Sequence, residues 1–227
     1  MQRVDSFGIV FPERWTAIPT EQREFDEFCV RAREKWRGAP DWDRAFERRA
    51  DTLLARVRHE LTKTGCVLAS LYIDEVLDDS GSAPLADPEV VLIAACTLGV
   101  YTKEELRTKL SLSVPVLFGA FAKRRPGVEA GTRVGRVTNV VRPDVPELPA
   151  GRCVRLRRLY EPRKLGSSTE RFFAESFIWP IGEDGESCCV LQFSTTNIEH
   201  SRQFSELFGA IANTFRMFEP DQPTSFD

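Results

Sequence analysis

"CCVLQFSTTNIEHSRQFSELFGAIANTFRMF", residues 188–218, contains two apolar rhythms in succession. Over its first residues the pattern alternates, so Cys189, Leu191 and Phe193 share one face of a strand, and Cys188, Val190 and Gln192 the other. From Phe204 the period lengthens, and Phe204, Leu207, Phe208, Ile211, Phe215 and Phe218 recur every three or four residues, as on an amphipathic helix. The pattern predicts a strand whose inner face packs beneath the helix that follows it. Thr195, Thr196 and Asn197 suit a helix cap, and Thr196 with Glu199 has capping-box spacing. The stretch also carries two thiols and His200. A thiolate nucleophile needs a neighbouring base or a helix N-terminus, and both cysteines lie several residues ahead of the helix. His200 falls in the first helical turn, where partial positive charge disfavours a cation. The reading is structural: a core strand, a cap and a helix, with no catalytic residue.

Working outward, "RFFAESFIW" (171–179) reads as the preceding strand, joined through the turn-rich "PIGEDGES" as a hairpin. "RCVRLRRLY" (152–160), "RVGRVTNVV" (133–141), "EVVLIAACTLGV" (89–100) and "CVLASLYIDEVL" (66–77) are further strand candidates. The Gly, Pro and Asp content of "DDSGSAPLADP" marks a loop between the last two. Thr102 and Glu105 have capping-box spacing and predict a short helix to about Leu110. "FGIVF" (7–11) reads as an opening strand. Residues 20–64 read as two amphipathic helices, one burying Phe25, Phe28, Cys29, Ala32 and Trp36, the other Phe46, Ala50, Leu53, Leu54, Val57 and Leu61. Thr20 and Asp41 suit their starts and Gly65 the final stop. The charged residues between those positions predict solvated outer faces. Strands in consecutive runs, with helices early and late, predict one α+β domain over 1–219, built on a mainly antiparallel sheet flanked by helices. A polar tail follows at 220–227.

Composition narrows the function. With 227 residues, 42% of them hydrophobic, the chain can bury a substantial core. Its six cysteines form no CxxC pair, which predicts buried, reduced thiols and no metal site. "GVEAGTRVGR" (127–136) has neither phosphate-loop nor dinucleotide-loop order, and His59 has no HExxH company, so no cofactor is expected. Asp74 with Glu75 and Asp78 with Asp79 match no calcium loop. The opening residues lack a signal-peptide run, and "VVLIAACTLGV" (90–100) is far short of the roughly 20 residues that span a bilayer. The expectation is a cytoplasmic protein without membrane insertion.

A net charge of −3 conceals an asymmetry: between Lys123 and Arg171 thirteen Lys or Arg face five acids. Within "GRCVRLRRLYEPRK", alternation sends Val154 and Leu156 to one face and Arg155 and Arg157 to the other, with Arg152 and Arg158 near the ends. These four arginines are the candidate site. One reading is a solvated face, or cross-strand pairing with acids such as Glu175; the other is a surface for an anion or an acidic protein partner. Nucleic acid is disfavoured, because no recognised nucleic-acid signature accompanies the arginines and the chain is acidic overall.

An opening strand followed by "FPERWTAIP", antiparallel strands through the middle, and the strand, polar turn and helix ending in "IANTFRMF" together resemble the PsbP-like family. That resemblance implies an αβα sandwich, shared by a photosystem extrinsic protein, a Ran-binding nuclear transport factor and bacterial effector chaperones. It carries no catalytic residue set, and it implies a binding or accessory role. The helical segment at about 20–64, set between the first strand and the rest of the sheet, departs from the family pattern. The sequence thus favours a non-enzymatic protein-binding module, such as a secretion-associated chaperone or adaptor. The alternatives are a small-molecule or nucleotide-handling enzyme with an arginine anion site, and a nucleic-acid binder using the basic strand.

Overall fold

Among the described residues, more apolar side chains lie in strands than in helices. In order, the computed structural model contains β1 (Ser6–Gly8), β2 (Trp15–Ile18), α1 (Gln22–Arg37), α2 (Arg44–Leu61), β3 (Cys66–Glu75), β4 (Val91–Thr102), α3 (Val114–Ala122) and β5 (Arg136–Asp144). There follow β6 (Glu147–Leu148), β7 (Gly151–Arg152), β8 (Val154–Glu161), β9 (Phe172–Ile181), β10 (Ser187–Thr195), α4 (Ser201–Thr214) and β11 (Arg216–Phe218). The structure describes residues 6–37, 44–62, 66–75, 91–106, 108–122, 136–161, 171–182 and 185–218. The loop between β3 and β4, the polar tail, Asp41 and Gly65 lie outside these, as does much of the basic segment.

Seven strands form one sheet in the order β2-β3-β4-β10-β9-β8-β5, and every neighbouring pair is antiparallel. The α+β expectation with a mainly antiparallel sheet holds, and β10 is the middle strand. Its two faces meet different layers. Cys189, Leu191 and Phe193 pack with Phe204, Phe208, Ile211 and Phe215, as the alternation predicts. Phe193 lies nearly parallel to Phe208, with ring centroids 4.6 Å apart. The opening segment joins the same core: Trp15 meets Tyr72 at 5.4 Å and Phe193 at 6.2 Å, and Phe7 stacks on Phe215 at 5.9 Å. Each such aromatic pair adds about 0.5–1.5 kcal/mol beyond its buried area.

The helices from residues 20–64 cover part of the opposite face. Phe25, Cys29, Leu53, Leu54 and Val57 pack on Ile18, Ala69, Leu71, Ile93 and Ala95. Their charged flanks are less solvated than the pattern predicts, because the two helices face each other across a seam of ion pairs. Arg33 bonds Asp51 at 2.7 Å, Arg37 bonds Glu47 at 2.8 Å, and Arg58 bonds Asp26. On α2, Arg56 and Glu60 are themselves buried and paired at 2.8 Å. Beside them, the Tyr101 ring folds over Gly99 in the space that any larger side chain would fill.

Two local expectations are revised. The Thr102–Glu105 box forms, with the Thr102 amide donating to Glu105 at 2.8 Å and the Glu105 amide to Thr102 Oγ1 at 3.2 Å, but it closes a turn, and among the described residues no helix follows to Leu110. The helix comes later, as α3, whose Leu117 packs on Val154, Leu156, Ile178 and Cys188. This uniformly apolar run, "VPVLFGAFA", has no charged face to reveal its period.

The second revision concerns "STTN". Neither Asn197 nor His200 caps a helix through its side chain; residues 198–200 form a 3₁₀ turn, so His200 precedes α4 instead of lying in its first turn. The polar side chains instead fasten β10 to β4. The Ile93 amide donates to Asn197 Oδ1 at 2.9 Å, and Thr195 Oγ1 donates to the Ile93 carbonyl at 2.7 Å. Both residues are fully buried, so the Ile93 amide has no water to fall back on. Asn197→Ala is expected to cost about 1–3 kcal/mol, the price of orphaning a buried donor. Glu199→Ala, at an exposed position, should stay within about 0.5 kcal/mol. Urea denaturation of both variants checks the pair, and equal losses would restore the capping-box reading.

Candidate functional site

The two adjacent thiols of β10 are core groups. Cys188 and Cys189 are buried on opposite faces of β10. Burial pushes Cys188 and Cys153 up to about 12 and raises Cys189 and Cys96 further from thiolate formation. A thiol held protonated is a poor nucleophile. Of the six, only Cys66 is partly exposed. Native protein at pH 8 should therefore react promptly with a thiol reagent at no more than one cysteine, and at six after unfolding. Fast labelling at Cys188 or Cys189 would contradict the core assignment.

The four candidate arginines are not brought together. Arg152 belongs to the separate β6–β7 hairpin, exposed, with Glu147 at 3.8 Å. The basic stretch is therefore interrupted at Cys153, which is buried among the residues under α4. Arg158 pairs in register with Ala174 and points to the sheet face opposite Arg155 and Arg157. Arg155 and Arg157 do share a place. Together with Val141, Phe173, Ser201, Arg202, Ser205, Glu206 and Gly209 they line an open cleft of about 630 Å³ between the flank of α4 and the sheet.

This cleft is charge-compensated. Arg155 bonds Glu175 in the next strand, reaches Ser205 Oγ at 3.0 Å and lies 5.5 Å over the Phe177 ring. Arg157 approaches Asp144 at 3.4 Å, and Arg202 approaches Glu206 at 3.3 Å. Cross-strand pairing with Glu175, one of the two sequence expectations, is what forms. Glu175 is wholly buried, and burial raises its carboxyl above the ordinary range, with Arg155 opposing. The unfolded chain then releases this proton at lower pH than the folded one. Glu175's contribution to stability is full below its ordinary value near 4.5 and declines as pH rises through the raised folded value. Glu175→Gln should flatten that decline in denaturation curves taken between pH 4 and 7, and an unchanged pH slope would reject it.

A second concavity was not anticipated. Arg14, Thr16, Phe28, Arg31, Ala32, Lys35, Trp36, Leu71 and Ile73 line a groove of about 590 Å³ between α1 and the β2–β3 side of the sheet. Its floor is apolar, from Phe28, Ala32, Trp36, Leu71 and Ile73, and its rim is basic. Helical periodicity explains the division: Asp26, Arg33 and Arg37 fall on the flank of α1 that faces α2, and Phe28, Arg31 and Lys35 on the other. Arg31 and Lys35 are exposed and make no ion pair among the described residues. Arg14, also in the lining, has a φ of 74°, a left-handed conformation that a side chain adopts only at a cost. One signal for this site was in the sequence. Arg31 and Lys35 are like charges at i,i+4, a spacing that weakens a helix by about 0.2–0.5 kcal/mol.

No protein-family model matches this chain, and no curated protein does. Among solved structures, LpqN of Mycobacterium tuberculosis, involved in cell envelope biogenesis, is similar at a TM-score of 0.39 and 11% identity, over 95% of this chain and 84% of that one. That is a weak structural resemblance, and at this level it carries nothing about ligand or partner.

Proposed function

We propose that this chain is a non-enzymatic module that binds another protein, in the manner of a chaperone or adaptor, on a fold of the PsbP-like αβα kind. The fold assignment is supported by helices packed on both faces of the antiparallel sheet. One observation carries the functional reading: the groove beside α1 joins an apolar floor to cations that no carboxylate among the described residues neutralises, Arg31 and Lys35. A mixed surface of that kind suits a protein segment, whose apolar side chains fill the floor while its charges meet the rim.

A second reading, an enzyme or carrier with an arginine anion site, draws on the shared cleft of Arg155, Arg157 and Arg202. It is the weaker one. Each of those guanidiniums already faces a carboxylate, and an incoming anion would compete with the buried Glu175, with Asp144 and, more weakly, with the exposed Glu206. The same compensation tells against phosphate-backbone binding by this face.

A tagged chain distinguishes the readings in extracts of its own host at physiological salt. A stoichiometric protein is expected on the wild type and on an Arg157→Ala/Arg202→Ala variant, and absent from an Arg31→Glu/Lys35→Glu variant. If no protein is retained, while a small anionic metabolite raises the melting temperature only when Arg157 and Arg202 are intact, the binding-module reading is wrong.

A further inference from the structure

Resting on the protein-binding reading, we infer that the occupant of the α1–β2 groove is an extended acidic segment that adds a strand to the outer edge of β2. The sheet order sets the geometry. β2 is an edge strand among the described residues, bonded to β3 on one side. An unbonded strand edge presents a row of backbone donors and acceptors, which a further strand can satisfy. Thr16 and Ala17 are exposed and small, so an incoming backbone can approach.

The groove lies where the added strand would send half of its side chains. Thr16 pairs with Leu71 and Ile18 with Ala69, which places Thr16, Ile18 and Leu71 on the sheet face covered by α1. The ion-pair seam holds one flank of α1 against α2, and α2 in turn lies over β4. The opposite flank, with Phe28, Arg31 and Lys35, therefore looks outward over the β2 edge. Successive residues of an added strand would alternate between that flank and the far face. Apolar side chains on the near face reach Phe28, Trp36 and Ile73, and carboxylates reach Arg31 and Lys35.

Charge selects the occupant. Two cations one helical turn apart repel each other in the unoccupied groove, and an acidic side chain between them removes that repulsion as it binds. A basic segment would compound it. The four residues of β2 limit the added pairing to a short stretch, so sequence-blind edge addition is weak and the rim supplies the discrimination.

The test uses the full chain and a fluorescent octapeptide in which Glu and Leu or Phe take turns at every second residue, with Thr between them, so that acidic and apolar side chains share one face of the strand; binding is followed by anisotropy. Saturable binding is expected, weakened at least tenfold by Arg31→Glu/Lys35→Glu, by Lys in place of Glu in the peptide, and by raising salt from 50 to 500 mM. N-methylation of alternate peptide amides, made in both phases, should abolish binding in one phase and spare it in the other. Equal binding by both methylated peptides overturns strand addition, and equal binding by the Lys peptide overturns the acidic preference. If the octapeptide fails to bind while the host protein's retention still depends on Arg31 and Lys35, this inference falls and the protein-binding reading stands. If both fail, both readings fall.

Discussion

The stack of Phe193 on Phe208 anchors the architecture. Phe193 is on the middle strand of the sheet, hydrogen-bonded along both edges to β4 and β9, so whatever packs on it fixes the position of a whole layer. Phe208 brings α4 down at that point, with Phe204 and Ile211 on either side. The flank of α4 that carries Ser201, Ser205 and Gly209 then overhangs β8, and the arginine cleft follows from that overhang. Its position is set by the core, as is the burial of Glu175, which has no role in the hydrophobic packing yet lies fully inside it.

The closing strand and helix were legible because their apolar periods differ, two against three to four, and nothing else in the chain obscures the change. The helix pair at 22–61 was legible for the same reason. α3 was not, since an apolar run of nine residues without a polar stripe fits a strand as well as a helix. Asn197 shows another limit. Its neighbours and spacing describe a helix cap, and what redirected it was the Ile93 amide, a partner more than a hundred residues away that only the sheet's register supplies. Local propensity yields to a buried donor that would otherwise be unsatisfied.

The candidate site divides along similar lines. Arginine serves three separate purposes in this chain, and composition cannot separate them. Arg33 and Arg37 tie two helices together, Arg155 neutralises a carboxylate that the fold has already buried, and Arg31 faces solvent beside an apolar floor. The alternation in "RCVRLRR" placed Arg155 and Arg157 on one face correctly, and it named Glu175 as a cross-strand partner. It could not weigh that pairing against a ligand, because the weight depends on how deeply Glu175 sits. For α1, the helical wheel separates the two charged flanks, but knowing which one meets α2 requires the tertiary arrangement.

The short ribbon of β1 and β11 has a mechanical consequence. Ser6 pairs with Phe218 and Gly8 with Arg216, antiparallel, so the chain enters and leaves this ribbon at the same end. Tension applied through Ser6 and Phe218 would load its bonds one after another, as a zipper opens, instead of shearing them together. The ribbon would peel at low force, and the next resistance would come from Phe7 leaving Phe215. Anything fused at these two positions would emerge side by side, and pulling the two apart would begin to open the aromatic core from its edge.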